Sequence, residues 1–506
     1  MALAVRPSRR GPLSLDAVPE ILRPLIRAYL LGYATAVGPR LLTLVLQYVA
    51  KRRRAQLSPD PEDGSFAKSA KHIVRMGFNL QRFPTFCAVL AGGSTILQEP
   101  LKSIIDKAAK SLSEAARLRL ARWLSTFIAA WYGIRLLHTY ESRAYTETLP
   151  VKPDSLPDAR PQTIKLAGRT LDLTLFALAR ALDVVVGDLW ARRKALRQAA
   201  HKWTSVSFLV IPGITLHDNP LTSLRTEQCV SRLIDPLAFA ASSGLAMWAW
   251  FYAPETLPRT YNKWITSAAS VDSRLIEALR RCRSGELQYG KDTGQAPLLQ
   301  AMCADFKWPL AWGDPAASIP FPCEMVHMGC GPSCEYHAVS RFFRAWKWSM
   351  ATYLPLTLAF ALRNPSRKAI IRAIISSCRS ATFLGTFITL FYYGVCLTRT
   401  RLGPLLLGDS IPWRQRIDSG LCVGTGCFLC GWSMLIETPS RRKDIAMFMA
   451  PRAMATFLPR KYPLDKQWRE TVVFAASTAV VFTCVKENPD RVRGVFGRLL
   501  KMVMDK

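Results

Sequence analysis

The sequence predicts an all-α, polytopic helical membrane protein of about ten apolar helices in two homologous halves. Three observations predict it: the chain joins oiliness to strong basicity, it carries repeated uncharged stretches of bilayer-crossing length, and it writes nearly the same apolar phrase twice. Half of the 506 residues are hydrophobic, and 68 Lys+Arg stand against 36 Asp+Glu, a net charge of +32. The mean hydropathy nevertheless lies slightly above zero, whereas surface charge usually brings a soluble globule below it. A basic nucleic-acid-binding domain gathers its Lys and Arg on one solvated face. Here they sit at the ends of apolar runs, as in Lys51-Arg52-Arg53-Arg54, Arg192-Arg193-Lys194 and Arg441-Arg442-Lys443. The expected partner is therefore the lipid bilayer and not nucleic acid.

The apolar runs come next. Pro236 to Pro254, Ser380 to Thr398 and Ser419 to Ile436 match the roughly 17–25 residues that a helix rising about 1.5 Å per residue needs to cross the hydrocarbon core. Phe83 to Gln98, Trp348 to Leu362 and Thr471 to Val485 are shorter and span if flanking Arg, Lys and Trp side chains snorkel to the interface. Ala28 to Ala50 is broken only by Arg40. Any one such run also fits a buried core helix; it is their number, with basic clusters at their ends, that points to insertion. The N-terminal "MALAVRPSRRGPLSL" has Arg6, Arg9 and Arg10 but no apolar core before Asp16, so no cleavable secretory signal is expected, and the segment is weakly like a mitochondrial presequence. The thirteen cysteines lie mostly inside or beside apolar runs, where a thiol acts as a small hydrophobe, which argues against a secreted disulfide framework.

The repeated phrase is "DLTLFALARAL" from Asp172 and "DIAMFMAPRAM" from Asp444. Upstream, "RFPTF" (Arg82 to Phe86) answers "RSATF" (Arg379 to Phe383), each at the head of an apolar run, and Gly133 answers Gly431. Earlier still, "LRPLIRAYLLGYATAVGP" parallels "SRFFRAWKWSMATYLP", and downstream "APETLPRTYNKWI" echoes "VKENPDRVRGVFGRLL". Each match is weak alone, but their common order makes a duplication. The chain accordingly reads as a basic tail (1–16), a first membrane half (17–280), a hydrophilic Cys/His-containing linker (281–337) and a second membrane half (338–506). A polar, proline-bearing insert around Ala144 to Gly168 reads as a loop. An odd helix count per half would insert the second half upside down, the arrangement of transporters built around a midplane site.

Within the phrase, Asp172, Phe176 and Arg180 fall four residues apart on one helix face, as do Asp444, Phe448 and Arg452. Intramembrane charges cost about 2.5–3.5 kcal/mol each, so they are expected to face the bundle interior, as ion-pair locks or as the lining of a solute path. Pro451 removes a backbone hydrogen bond beside Arg452 and is expected to kink that helix. Small residues at helical spacing, Ser125, Ala129 and Gly133 in one half and Gly420, Gly424 and Gly431 in the other, are expected to let helices approach closely in lipid. Cys427 and Cys430 spell C-x-x-C, which without a nearby His or acid reads as packing.

The segment "PCEMVHMGCGPSCEYHAVSRFFRAW" places Cys323, His327, Cys330, Cys334 and His337 within a short stretch, enough donors for a tetrahedral zinc site, although the spacing is not that of a finger or ribbon. Structural zinc, a disulfide staple, and ordinary cap and turn residues all stay open; no other cofactor is expected. This stretch leads into an aromatic, arginine-bearing helix, then Gly-rich membrane runs and "CGWSMLIETPSRRKDIAMFMAPRAM". From Pro322 to Leu499 the chain resembles the transmembrane protein 135 family, whose C-terminal part is similar to the superfamily of the mitochondrial inner-membrane translocase channels and a small peroxisomal membrane protein. The resemblance implies a multi-pass protein of peroxisomal or mitochondrial membranes, acting with organelle-division or lipid-handling proteins in organelle dynamics and lipid metabolism. It supplies no catalytic residues. The expected function is lipid or metabolite handling by a pore-like or scaffolding bundle. The alternative is a membrane-embedded lipid-modifying enzyme, which needs clustered histidines or a His-Asp pair. Of the six histidines only His327 and His337 are close in sequence, so no enzyme is expected.

Overall fold

The computed structural model describes residues 18–55, 64–140, 142–148, 163–207, 220–362, 364–492 and 494–504. The basic tail (1–16) and residues 149–162 of the polar insert lie outside them. Helices α1 (Arg23–Ala55), α2 (Gly64–Gly77), α3 (Phe83–Ile96), α4 (Gln98–Ala108) and α5 (Glu114–His138) come first. Strands β1 (Thr146–Thr148) and β2 (Thr163–Ala167) precede α6 (Leu171–Ser207) and α7 (Pro220–Tyr252). Next come α8 (Arg259–Ala269), α9 (Ser273–Ser284), α10 (Ala296–Phe306) and α11 (Cys323–His327). They are followed by α12 (Cys334–Ala361), α13 (Arg367–Leu397), α14 (Gly403–Leu407), α15 (Ile411–Arg416), α16 (Cys422–Cys430) and α17 (Pro439–Ala455). Last are β3 (Tyr462–Pro463), α18 (Gln467–Glu487) and α19 (Gly494–Met504).

Among the described residues the fold is all-α apart from one antiparallel sheet in the order β1-β2-β3. Its first two strands come from the insert that the sequence reads as a loop. Their Thr-rich, β-branched residues pair across the register Thr146 to Lys165 and Thr148 to Thr163. Among the described residues, four helical stretches are long and apolar enough to cross a membrane: Arg23–Val49, Arg367–Leu407, Ile411–Ile436 and Leu464–Glu487. The run read from Phe83 to Gln98 falls short: α3 has 14 residues, so it rises roughly 21 Å against a hydrocarbon core of about 30 Å. Bare apolar side chains line the helix surfaces, among them Phe360 at 74% and Leu405 at 80% exposure.

The chain forms two compact units. Unit 1 holds residues 1–214 and 461–506, and unit 2 holds residues 215–460. In unit 1, α1 packs on α3, α3 on α5, α5 on α18, and α18 on α6. In unit 2 the same succession reads α12 on α13, α13 on α16, α16 on α7, and α7 on α17. Helix for helix the two bundles correspond, with one feature the linear reading of halves 17–280 and 338–506 does not contain. The fifth helix is exchanged: α7, from the first half, completes unit 2, and α18, from the second, completes unit 1. Side-chain geometry repeats with it. Phe86 of α3 lies 5.8 Å from Phe474 of α18, and Phe383 of α13 lies 5.7 Å from Phe239 of α7, centroid to centroid. Both exchanged helices write Phe-Ala-Ala-Ser at this point, Phe239 to Ser242 and Phe474 to Ser477.

The region 281–337 is no bare hydrophilic tether. Leu287, Leu299, Met302, Cys303, Phe321 and Met325 from it are buried in the apolar core of unit 2. Asp272 caps α9 by accepting from the Arg274 N–H at 2.9 Å, and Gly285 ends the helix at φ 83°.

Candidate metal centre and apolar cavity

Unit 2 brings together four donors from three elements: Cys323 and His327 of α11, Cys334 at the start of α12, and Cys396 near the end of α13. Their ligand atoms all lie within 4.8 Å of one another. Around one zinc ion, bonds of about 2.3 Å to sulfur and 2.0–2.1 Å to nitrogen set ligand atoms roughly 3.5–3.8 Å apart, so the group is close enough to hold a metal. The histidine is already oriented for it. His327 Nδ1 donates to the Gly331 carbonyl at 2.7 Å, which fixes the proton on Nδ1 and leaves the Nε2 lone pair facing Cys396 Sγ at 3.5 Å. A metal-bound histidine is held in this way by a carbonyl behind it. Hydrogen bonding with Cys396 holds the Cys334 and Cys323 thiols below the ordinary thiol range.

Of the five residues read from the sequence, Cys323, His327 and Cys334 join the cluster, and Cys330 and His337 do not. Cys330 turns away to Ser340, 3.8 Å off, and to Arg344. His337 stacks on His327 at 4.5 Å, where burial pushes it down to about 3 and keeps it a neutral packing ring. The fourth ligand, Cys396, lies in an apolar run far downstream. The turns Met328 (φ 49°), Gly329 (φ 83°) and Gly331 (φ 89°) fold the link back to this point.

A buried ion pair adjoins the cluster. Arg399 donates Nε to Asp418 Oδ1 at 2.6 Å and Nη2 to Oδ2 at 2.9 Å, with both side chains at most 2% exposed. Tyr289 donates to Asp418 at 2.5 Å, and Arg399 also reaches the Phe321 carbonyl and, at 3.9 Å, Cys323 Sγ. Each charge sits in a π-helical turn, Thr398–Leu402 or Ile417–Leu421, where the widened backbone re-aims one side chain.

The second feature of unit 2 is a cavity of about 640 Å³. Phe239, Trp250, Trp264, Phe383 and Phe387 are among its apolar walls, and Arg441, Asp444, Phe448 and Arg452 line it from α17. At its polar part Ser380 donates to Glu437 at 2.7 Å, and Arg441 donates to Ser380 at 2.7 Å and to Ser376. Tyr261, pushed up to about 12 by burial, stands in the wall and donates to Met449 Sδ.

The repeated phrase has one geometry in both units. The Arg180 guanidinium lies 5.2 Å over Phe176 and 5.5 Å over Phe496 of α19. That of Arg452 lies 3.4 Å over Phe448 and 5.1 Å over Tyr261 of α8. Stacking on ring faces stabilises a guanidinium in apolar surroundings by about 0.5–2 kcal/mol. Arg180 is buried; Asp172, in the first turn of α6, is exposed, and Asp444 is half-buried. Helix α17 runs on past Pro451 to Ala455.

The small residues divide. Ser125, Ala129 and Gly133 all face α3: Ser125 donates to the Ser94 carbonyl at 3.2 Å, Ala129 meets Gly93, and Gly133 meets the Phe86 ring. Gly431 lies against the backbone of Ala240, and Gly426, not singled out in the sequence, lies against Gly394. Gly420 instead interrupts the helix at φ 150°, and Gly424 makes only ordinary contact with Trp248. Cys427 and Cys430 are buried free thiols, as the packing reading holds.

Unit 1 has a polar centre that sequence spacing hides. Glu470 of α18 accepts from Thr170, from Thr174 at 3.2 Å and from Tyr462, and His138 lies 3.9 Å from the same carboxylate. Compared with protein-family models, curated proteins and solved structures, the chain matches none.

Proposed function

We propose that the chain is an integral membrane protein of an intracellular organelle, the peroxisome before the mitochondrion, that handles lipid in the service of organelle dynamics. The observation that carries this reading is the aromatic-walled cavity of unit 2, built partly on Arg367–Leu407, one of the stretches long enough to cross a membrane. Such walls suit an apolar guest better than an ion, which needs polar or charged lining throughout. Membership of the transmembrane protein 135 family fits the same reading. So does an ancestral duplication of a five-helix bundle, supported by the matched succession of helices and the matched Phe pairs. The metal at Cys323, His327, Cys334 and Cys396 is zinc in a structural role. Four protein donors fill a tetrahedron and leave no open position for substrate, the mark of structural rather than catalytic zinc. It ties the 281–337 region to α13.

The tagged full chain, expressed in cells, is expected to stay in the carbonate-resistant membrane pellet and to co-fractionate with a peroxisomal marker. Release by carbonate refutes the membrane reading; co-fractionation with mitochondria alone moves the assignment to that organelle.

A further inference from the structure

We infer that the unit 2 cavity binds a single-chain amphiphile with an anionic head group, the tail lying along α17 and the head meeting Arg441. The inference rests on the lipid-handling reading and names its ligand class. Arg441, Asp444, Phe448 and Arg452 recur every three or four residues, so they form one stripe down α17, and all of them line the cavity. From Arg441 to Arg452 the helix rises roughly 16 Å, about half of a 30 Å hydrocarbon core and so about the depth of one leaflet's acyl chain. At the far end Arg452 is stacked on Phe448 and Tyr261, which gives that end an aromatic wall. At about 640 Å³ the cavity falls within the roughly 300–1,000 Å³ of small-molecule sites.

The sign of the head follows from which charges reach the opening. Glu437 is an acid, but its side chain is 1% exposed and its oxygens accept from Ser380 at 2.7 Å and the Thr438 N–H at 3.3 Å, with the Arg441 guanidinium a looser ion-pair partner at 3.9 Å. Arg441 is 42% exposed, and a guanidinium has five donors, of which the two serines occupy only part. Arg442 and Lys443 follow on the same turn but do not line the cavity; the charges that do, Glu437, Arg441, Asp444 and Arg452, balance, so the sign of the head rests on the exposed Arg441 guanidinium. The turn is also the N-terminal end of α17, where the helix dipole favours an anion. A planar guanidinium recognises carboxylate and phosphate alike, so fatty acids and lysophospholipid phosphates share the required chemistry.

The test is native mass spectrometry of the full-length chain in non-ionic detergent, with oleate, oleoyl lysophosphatidate, oleyl alcohol and inorganic phosphate as probes. Oleate or the lysophosphatidate is expected to bind at one per chain, whichever is tighter naming the head group. Oleyl alcohol and free phosphate are expected to bind far more weakly. Arg441→Gln should weaken the anionic lipid about ten- to a hundredfold, the weight of one charge-assisted hydrogen-bonded contact, and Arg441→Lys should recover part of the loss. Ala268→Phe, which narrows the cavity without removing a charge, should weaken binding of oleate and the lysophosphatidate alike. Equal binding of oleyl alcohol and oleate, or an Arg441→Gln chain that binds like the native one, overturns the inference; so does binding of phosphate alone. Loss of carbonate-resistant membrane association would instead strike the reading beneath it, and the two failures are read in separate assays.

Discussion

Cys396→Ser is the substitution that separates the donor cluster formed in the fold from the donor set legible in the sequence. Cys396 supplies one of four donors within 4.8 Å of one another, and the His327 Nε2 lone pair points at its sulfur from 3.5 Å. A metal that binds only the folded chain adds about 4 kcal/mol of stability at a thousandfold excess over its dissociation constant. Even changes to the groups that hydrogen-bond a metal's ligands weaken metal sites about ten- to a hundredfold, so loss of a direct ligand weakens it by at least about a hundredfold and leaves roughly 1.4 kcal/mol. The difference, about 2.7 kcal/mol, corresponds to a fall in Tm of roughly 5–11 °C for a unit of some 250 residues. The assay is zinc content per chain together with thermal melts of the purified protein, with and without a chelator. The native chain should hold one zinc, Cys330→Ser should keep it, and Cys396→Ser should lose it along with the chelator sensitivity. Zinc retained by Cys396→Ser and lost by Cys330→Ser would refute the geometry argued above and restore the donor set read from the linker alone.

Three further outcomes are expected in thermal melts of the full chain. A Cβ added at Gly431 would stand 2.4 Å from the Ala240 Cα, whereas one at Gly424 would meet only a Trp248 side-chain atom at 3.7 Å. Gly431→Ala should therefore cost about 1–3 kcal/mol, and Gly424→Ala should be neutral or stabilising by up to about 1 kcal/mol; equal effects would refute the packing assignment. Glu470→Ala removes the shared acceptor of Thr170, Thr174 and the half-buried Tyr462, while Thr170 keeps His138 Nε2 at 2.8 Å and Thr174 keeps the Thr170 carbonyl at 3.3 Å, so it should cost about 1–3 kcal/mol, with Tyr462→Phe costing less; a loss well under about 1 kcal/mol would show that the cluster is solvated. Hydrogen bonding from Arg274 holds the Asp272 carboxyl below the usual carboxylate range. Its contribution is therefore fully present above about pH 4 and is lost as pH falls through the lowered value. Asp272→Ala should cost about 1–2 kcal/mol near pH 7, and the gap should close in acid; a gap that does not vary with pH would assign the loss to the cap geometry alone.

Helical content was legible, and so were four of the seven apolar runs, because both depend on local periodicity and length; Phe83 to Gln98, Pro236 to Pro254 and Trp348 to Leu362 do not fall on the stretches long and apolar enough to cross a membrane. The close approach of α3 and α5 through Ser125, Ala129 and Gly133 was legible for the same reason: a stripe at helical spacing needs only one helix to be seen. The metal group was half legible. Spacing presents Cys323, His327 and Cys334 as neighbours, but ligand choice depends on side-chain direction at the Met328 to Gly331 turns, and Cys396 sits in an apolar run where a thiol passes for a small hydrophobe. Glu470 was invisible as a centre because its partners His138, Thr170 and Tyr462 are spread over separate elements. Cys330 and His337 were drawn in by proximity in sequence, and the fold gives them other neighbours.

The exchanged fifth helix shows why a repeat in sequence need not mark a unit in space. A helix's apolar face carries information about how much surface it must bury and little about whose surface covers it, since any bundle groove of the right spacing serves. On the proposed duplication, the two copies offer nearly interchangeable grooves. Phe239 fits against Phe383 as Phe474 fits against Phe86, and the Phe-Ala-Ala-Ser stretch is common to both inserting helices. The choice between closing each copy on itself and closing it on the other then falls to the connections and to the elements that flank the fifth helix. Here those elements follow it. Helix α8 travels with α7 and brings Tyr261 to Arg452, while α19 travels with α18 and brings Phe496 to Arg180. The repeated Phe and Arg of the phrase therefore complete their stacks only with an aromatic ring delivered by the other sequence half. What reads along the chain as an isolated acid-to-base motif is, in the folded protein, half of a lock whose other half lies in a different repeat.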